Sequence, residues 1–380
     1  MEYSVYSNSY QNILKLTPHS ARICDMIGTK TSQASPVESE RTDTSMMTPK
    51  QRLLARIEGR PVDKVPNLSI VMQVAAQHAG VPYGQYASDY RAHVESQILT
   101  AKDFGLDILT VMSDPYRETS AYGAQIEYQT DGLPLCKTTV LTDINRWEEQ
   151  LKPWDALSCE RTRATVDAIR LFKERVDEQY MIAGWVEGAF AELCDLAGVT
   201  EGMTMLFDDE EKASEAMGFI TEQAVGFARA QVEAGADIIG IGDAVASLIS
   251  ADMYERLVMP HEKQIIEAVH GLGARVKLHI CGNINHLLAL MVETGADIID
   301  IDHMVDLTNA LALAEGKCSI CGNLNPAGTI LNGTPAQIRE ETLKCMALGT
   351  PTFILSSGCE VPKGTPYANF KAIDDALQEG

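Results

Sequence analysis

From residue 64 onward, short continuous runs of aliphatic and β-branched residues alternate with longer stretches whose apolar positions recur every three or four residues. The short runs cover 64–72, 107–112, 180–186, 275–280, 317–320 and 352–355, and predict buried strands. The periodic stretches at 89–104, about 155–178 and from Asp208-Asp209-Glu210 to about Ala234 predict helices. Residues 122–141 depart from this rhythm. Gly, Asp-Gly and alternating Ile, Tyr and Leu predict a β-hairpin excursion there. An internal repeat fixes the pattern further: Glu233-Ala-Gly-Ala-Asp-Ile-Ile-Gly-Ile-Gly-Asp243 matches Glu293-Thr-Gly-Ala-Asp-Ile-Ile-Asp-Ile-Asp-His303 at an offset of 60 residues. Each copy reads as helix end, glycine cap, short strand and polar tip. Sixty residues span two strand–helix units, and about eight such units fit between residue 64 and the C-terminus. The class is therefore α/β, and the count favours a closed (β/α)8 (TIM) barrel over an open doubly wound sheet. No Gly-rich dinucleotide or P-loop fingerprint follows any of the strands, which weakens the open-sheet alternative.

Residues 1–46 are rich in Ser and Thr and lack sustained periodicity, so they read as a disordered N-terminal extension. The first convincing helix starts after Met46-Met47. Thr48 is placed as its N-cap, Pro49 as its first residue, and Gln51 can close a capping box. The barrel domain is accordingly expected over residues 47–380.

Composition narrows the function classes. A net charge of −22 excludes a basic nucleic-acid-binding surface. No apolar run reaches the length of a membrane span. Nine cysteines, an odd number spread through a long chain, argue against a disulfide scaffold and for a reducing, cytoplasmic setting.

In such a barrel the chemistry sits where strands end. The predicted strand tips carry Glu187, Asp243, His279, Cys281, Asp302, His303, Cys321, Asn323, Cys359 and Glu360. In Arg275-Val-Lys-Leu-His279-Ile-Cys281-Gly-Asn, His279 and Cys281 are two apart on a strand and share a face. An imidazole and a thiol so placed form half of a zinc site; the alternative is a satisfied histidine beside a small buried cysteine. Cys359 lies 78 positions past Cys281, in a Gly- and Pro-fixed turn after the last strand, and can complete the set. Its alternative is a small buried loop residue. Three protein ligands leave a coordination position open, the mark of catalytic zinc. Glu187 is the candidate for a weak fourth ligand that substrate could displace, against a solvated or salt-bridged loop glutamate. Glu187 and Asp243 are the candidate proton donors, with nothing in the sequence selecting one. Asp243 and Asp302 can instead orient the histidine, line the pocket or cap helices. His303 is a candidate for the substrate pocket or for support of the metal ligands. Cys318-Ser-Ile-Cys321 falls on a predicted strand and reads as core packing rather than a redox pair, with Cys321 near the rim.

Three motifs together resemble the uroporphyrinogen decarboxylase superfamily, and within it the zinc-dependent, corrinoid-linked methyltransferases. They are His279-Ile-Cys281-Gly-Asn, Gly322-Asn323-Leu-Asn-Pro326 and Gly358-Cys359-Glu-Val-Pro-x-Gly-Thr-Pro366-x-x-Asn369. The resemblance covers roughly residues 48–378 and implies a (β/α)8 barrel with zinc held by His279, Cys281 and Cys359. The decarboxylases place arginines after the first strand for a polycarboxylate substrate, whereas this chain has none between Arg60 and Arg91. The resemblance therefore implies methyl transfer from a methylated donor, such as a methoxylated aromatic, to the cob(I)alamin of a separate corrinoid protein. The chain itself shows no Asp-x-His-x-x-Gly cobalamin motif. The alternative direction runs from methylcobamide to a thiol of the coenzyme M type. Trp185-Val-Glu187-Gly and Ser113-Asp114-Pro-Tyr-Arg117-Glu look like the donor-demethylating set, which adds Asp114 to Asp302, His303 and Asn323 as substrate-binding candidates. A decarboxylase and a non-catalytic zinc barrel remain the outlying readings, and a homodimer is open.

Overall fold

A computed structural model describes residues 46–380 apart from Asp177, Gly349 and Gly380. All but the last residue of the expected extension lies outside the described residues. Seven parallel strands form one sheet in sequential order: β1 (Ile108–Thr110), β2 (Met181–Glu187), β3 (Ile238–Gly242), β4 (Arg275–Ile280), β5 (Ile298–Ile301), β6 (Ser319–Leu324) and β7 (Phe353–Ser357). Helices separate successive strands, as the alternation of short apolar runs and helical periods predicts. The helices used below are α1 (Pro49–Ile57), α2 (Tyr90–Phe104), α3 (Glu160–Val176), α4 (Ala189–Ala197), α5 (Glu210–Ala234) and α6 (Met259–Gly271).

The run at 64–72 differs from the expected strand. It is extended but makes only one ladder bridge, between Asn67 and Leu355. Pro66 has no amide hydrogen to give, and the Asn67 side chain accepts from the backbone and hydroxyl of Ser69, which competes with regular pairing. The segment still spans the gap between the two ends of the sheet. Leu68 N donates to Leu355 O, Leu355 N to Pro66 O, and Asp107 N to Asn67 O. The result is a TIM-barrel-like α/β fold whose eighth stave is irregular. The excursion at 122–141 shortens to a minimal hairpin, Ile126–Glu127 paired with Leu135–Cys136.

The barrel interior is a separate apolar cluster. Leu68, Ile108, Met181, Ala183, Ile238, Ile298, Cys321 and Ile354 meet there, and Leu53 of α1 packs against them from below. The predicted capping box is present: the Thr48 side chain accepts from Gln51 N and the Gln51 side chain from Thr48 N. It starts α1 at the register that puts Leu53 inside. Every strand but β4 lends this cluster a residue. The alternation that would supply one from β4 supplies Lys277 and His279 instead, so this stave carries polar chemistry into the barrel. Cys321 is fully buried in the same cluster. Among the described residues, no helix is long and apolar enough to cross a membrane.

Because Leu53 closes the interior and is completely buried, Leu53→Ala is expected to cost about 2–5 kcal/mol. Chemical denaturation followed by circular dichroism would measure it. An unchanged midpoint would contradict the plug.

Candidate metal centre

Strand β4 delivers His279 at its penultimate position and Cys281 one residue past its end. Gly282 then turns with φ +86°, a conformation favoured by glycine. Strand β7 ends at Ser357, and Gly358 follows, its amide donating to Leu324 O at 2.8 Å. Gly358 packs directly on the backbone of Asp302 and His303, where a Cβ would fall inside contact distance of His303 N. That close approach brings Cys359 over the tip of β4. The ligand atoms of His279, Cys281 and Cys359 all lie within 4.8 Å of one another. Nε2 of His279 is 3.0 Å from Sγ of Cys281, and the two sulfurs are 3.7 Å apart.

The donor set fits a zinc ion. Tetrahedral zinc with sulfur at about 2.3 Å and nitrogen at about 2.0–2.1 Å has S···S and S···N edges of about 3.8 and 3.6 Å. The sulfur pair already has that spacing, and the imidazole needs to withdraw by only about half an ångström. Electrostatics agree. The Cys281 thiol, hydrogen-bonded to Cys359 and buried, is pushed well up, while Cys359 is pulled well below the usual thiol range by hydrogen bonds from Cys281 and His279. One proton is thus shared between two sulfurs that would both give it up to a metal.

Behind the histidine stands Asp300 on β5, which sequence reasoning did not single out. Its backbone carbonyl lies 3.2 Å and its Oδ2 3.4 Å from Nδ1 of His279, and Oδ2 also takes Lys277 Nζ at 2.6 Å. Burial lowers the imidazole's pKa, but Asp300 and Cys359 together outweigh it and raise the value to about 10. With Nδ1–H committed to Asp300, Nε2 is the atom that faces the thiols. The strand period could have found this pair: Lys277, His279 and Cys281 alternate along β4 as Ile298, Asp300 and Asp302 do along β5.

The other candidates fall around this centre in distinct ways. Asp302 accepts from Gly282 N at 3.0 Å and pairs with His303 Nδ1 at 2.5 Å, so it braces the turn after Cys281 and holds an exposed His303 at the rim. Asn323 Nδ2 donates to the carbonyls of Asp302 and Val305 and stitches down the loop after β5. Asp243 caps α4 rather than a helix of its own unit: its Oδ1 accepts from Ala191 N at 2.9 Å, while Oδ2 is buried without a partner. Burial raises its pKa to about 7. Asp114 is held by two bonds from Arg161, at 3.0 and 2.6 Å, and by Ser113 Oγ.

Glu187 does not join the three close donors. Register pairs it with Gly242, and Gly242 with His279. Two strand spacings, about 10 Å, therefore separate its Cα from that of His279. No side chain intervenes on Gly242. The floor there is the Trp185 indole, which packs over Gly240 and Gly242 and donates to Glu187 Oε1 at 2.9 Å. Glu187 N donates to Glu118 Oε1, and burial together with the Glu118 and Asp195 charges pushes the Glu187 carboxyl well up. Glu118, also raised to about 7 by burial, was not among the candidates. It precedes β2 by some sixty residues, and only the fold joins it to Glu187. Three candidate metal donors thus stand on one side of Gly242 and the Trp185 indole, and carboxyls that burial pushes up stand on the other.

Comparison with known proteins places this geometry in a class. Residues 48–380 match the family model described as uroporphyrinogen decarboxylase (URO-D). A methylcobamide:CoM methyltransferase of Methanosarcina acetivorans is 30% identical over 334 residues, covering 86% of this chain and 96% of that protein. A solved methyltransferase from Methanosarcina mazei superposes with a TM-score of 0.81 at 26% identity, covering 88% of this chain and 99% of its own. A uroporphyrinogen decarboxylase of Chlorobium limicola, also 30% identical, aligns over only 49% of this chain and 55% of its length. The chain belongs to the uroporphyrinogen decarboxylase family, within its corrinoid-dependent methyltransferases.

Two outcomes check the centre. Gly358→Ala is expected to displace Cys359 and cut bound zinc, measured by elemental analysis of folded protein, to a small fraction of one per chain; full occupancy would contradict the close approach. Since His279 and Cys281 hold protons at pH 7.5 and Cys359 does not, loading zinc into metal-free protein should release about two protons per ion. Affinity should accordingly climb as pH rises toward 10. Calorimetry in buffers of different ionisation enthalpy reads the number, and a value near zero would contradict the assignment.

Proposed function

We propose that His279, Cys281 and Cys359 hold a catalytic zinc ion, and that the enzyme moves a methyl group between a small molecule bound there and the corrinoid of a separate protein. The observation that carries this reading is the meeting of three donors from β4 and the loop after β7 with, among the described residues, no fourth beside them; the reactant would occupy a gap between them and Glu187. When bound, zinc supplies Lewis acidity toward the sulfur or oxygen that gains or loses the methyl group. The chain's own residues do the rest. Asp300 and Lys277 fix the imidazole's orientation. Asp302 and Gly358 fix the two loops that carry the cysteines. Trp185 walls the gap and excludes water beneath it. Glu187, protonated and next to Glu118, can give or take one proton at the edge of the gap.

In the thiol direction, R–SH and CH3–Co(III) give R–S–CH3, Co(I) and a proton. The C–Co bond breaks with both electrons left on cobalt, and the proton leaves the thiol toward the carboxyl side of the gap. The whole-length similarity to a protein named methylcobamide:CoM methyltransferase favours this direction. The opposite direction, R–O–CH3, Co(I) and a proton giving R–OH and CH3–Co(III), needs a proton donor for the departing oxygen. The raised Glu187 and Asp243 favour it. It is also the direction suggested by the motifs around Trp185 and Ser113.

The test is a spectrophotometric assay of zinc-loaded enzyme. One arm offers methylcobalamin and 2-mercaptoethanesulfonate; the other offers cob(I)alamin and methoxylated aromatics. Turnover in the first arm identifies the thiol enzyme, and turnover in the second the demethylase. In the productive arm Cys359→Ala should lower kcat/KM at least about 100-fold. Undiminished turnover in Cys359→Ala would overturn the zinc reading.

A further inference from the structure

Beside the carboxyl end of β1, the N-terminal ends of α2 and α3 frame a cavity of about 310 Å³. Four arginines line it: Arg91, Arg117, Arg161 and Arg163. This is unusual for a chain of net charge −22, in which most lysines and arginines are ion-paired. Arg161 is spent on Asp114 and Tyr116 O, and Arg117 is buried with its terminal nitrogens on the carbonyls of Asp114 and Val111 and on Ser113 Oγ. They form a fixed back wall in which Asp114 balances Arg161 and Arg117 carries the remaining positive charge. Arg91 and Arg163 stand at the opening. Both are exposed, and among the described residues neither has a carboxylate partner; Arg91 lies over the Tyr90 ring at 4.4 Å.

Two of the three acidic residues of the wall are already engaged. Asp89 is turned to its helix as N-cap, accepting from Arg91 N at 2.9 Å, and Asp167 is paired with Arg170. Glu160 alone is an exposed carboxylate without a partner there. Tyr90 and the half-exposed Tyr128 supply flat apolar area, and the Arg161 guanidinium sits 5.4 Å over the Tyr128 ring. Free guanidinium forks at the entrance, fixed charge behind and rings at the side suit an oxyanion carried on a small organic body. None of these residues belongs to the metal centre.

We infer that this cavity is a binding site for a small oxyanion-bearing ligand, whose phosphate, sulfonate or carboxylate group is taken by Arg91 and Arg163. Three sources share that chemistry: a free inorganic ion, a small organic acid, or the phosphodiester of a corrinoid. The site is independent of the direction of methyl transfer and of the zinc assignment.

Isothermal titration of the full-length, zinc-loaded protein with inorganic phosphate, benzoate and cyanocobalamin tests it. At least one probe is expected to bind with a submillimolar Kd, and the probe that binds identifies the source. In the Arg91→Gln/Arg163→Gln double variant its affinity should fall at least about tenfold. Bound zinc should be unchanged in that variant, since both residues are exposed and neither is among the metal donors. No binding by any of the three probes, or binding equal in wild type and the double variant, would overturn the inference.

Discussion

A buried carboxylate, Asp300, is the interaction on which the centre depends. It sits inside the barrel with no exposure and takes Lys277 from below and His279 from beside it. Charges so buried are costly unless paired and hydrogen-bonded. Here the pairing also fixes the imidazole's orientation, so that Nε2 faces the sulfurs. Asp300 stays ionised: burial works against it, but Lys277 and His279 hold its carboxyl below the usual range. Remove that charge and Lys277 loses its partner while His279 loses its orientation.

The second constraint is steric. Two elements nearly eighty residues apart in the chain must come close enough for their sulfurs to share an ion. Glycine permits this at Gly358, where the loop after β7 lies on the backbone after β5. Glycine also lets the Trp185 indole lie close against β3, since a side chain on Gly240 or Gly242 would strike it.

Much of this was legible in the chain. Strand–helix alternation, the sixty-residue repeat and the Thr48–Gln51 cap all reflect local physics, which sequence records directly. The grouping of His279 with Cys281 follows from the two-residue period. Cys359 joins them through the Gly- and Pro-fixed turn after the last strand. The eighth stave was misread as a regular strand because the hydrophobicity of 64–72 says nothing of the proline and asparagine chemistry that breaks its ladder. Asp300 and Glu118 were missed for another reason. A carboxylate's role depends on what faces it, and Lys277, His279 and Glu187 face them only after folding. Asp114 shows the converse: prominent in its motif, it is committed to Arg161, an arginine that no local pattern connects to it.

The account rests on a metal bound by two sulfurs and one imidazole with a place left for a reactant. Zinc-edge X-ray absorption on the loaded enzyme addresses this directly. The predicted shell has two sulfurs at about 2.3 Å and two lighter atoms at about 2.0–2.1 Å, one of them replaced when a thiol is added. A shell with four protein donors that no added thiol changes, or one lacking sulfur, would contradict it.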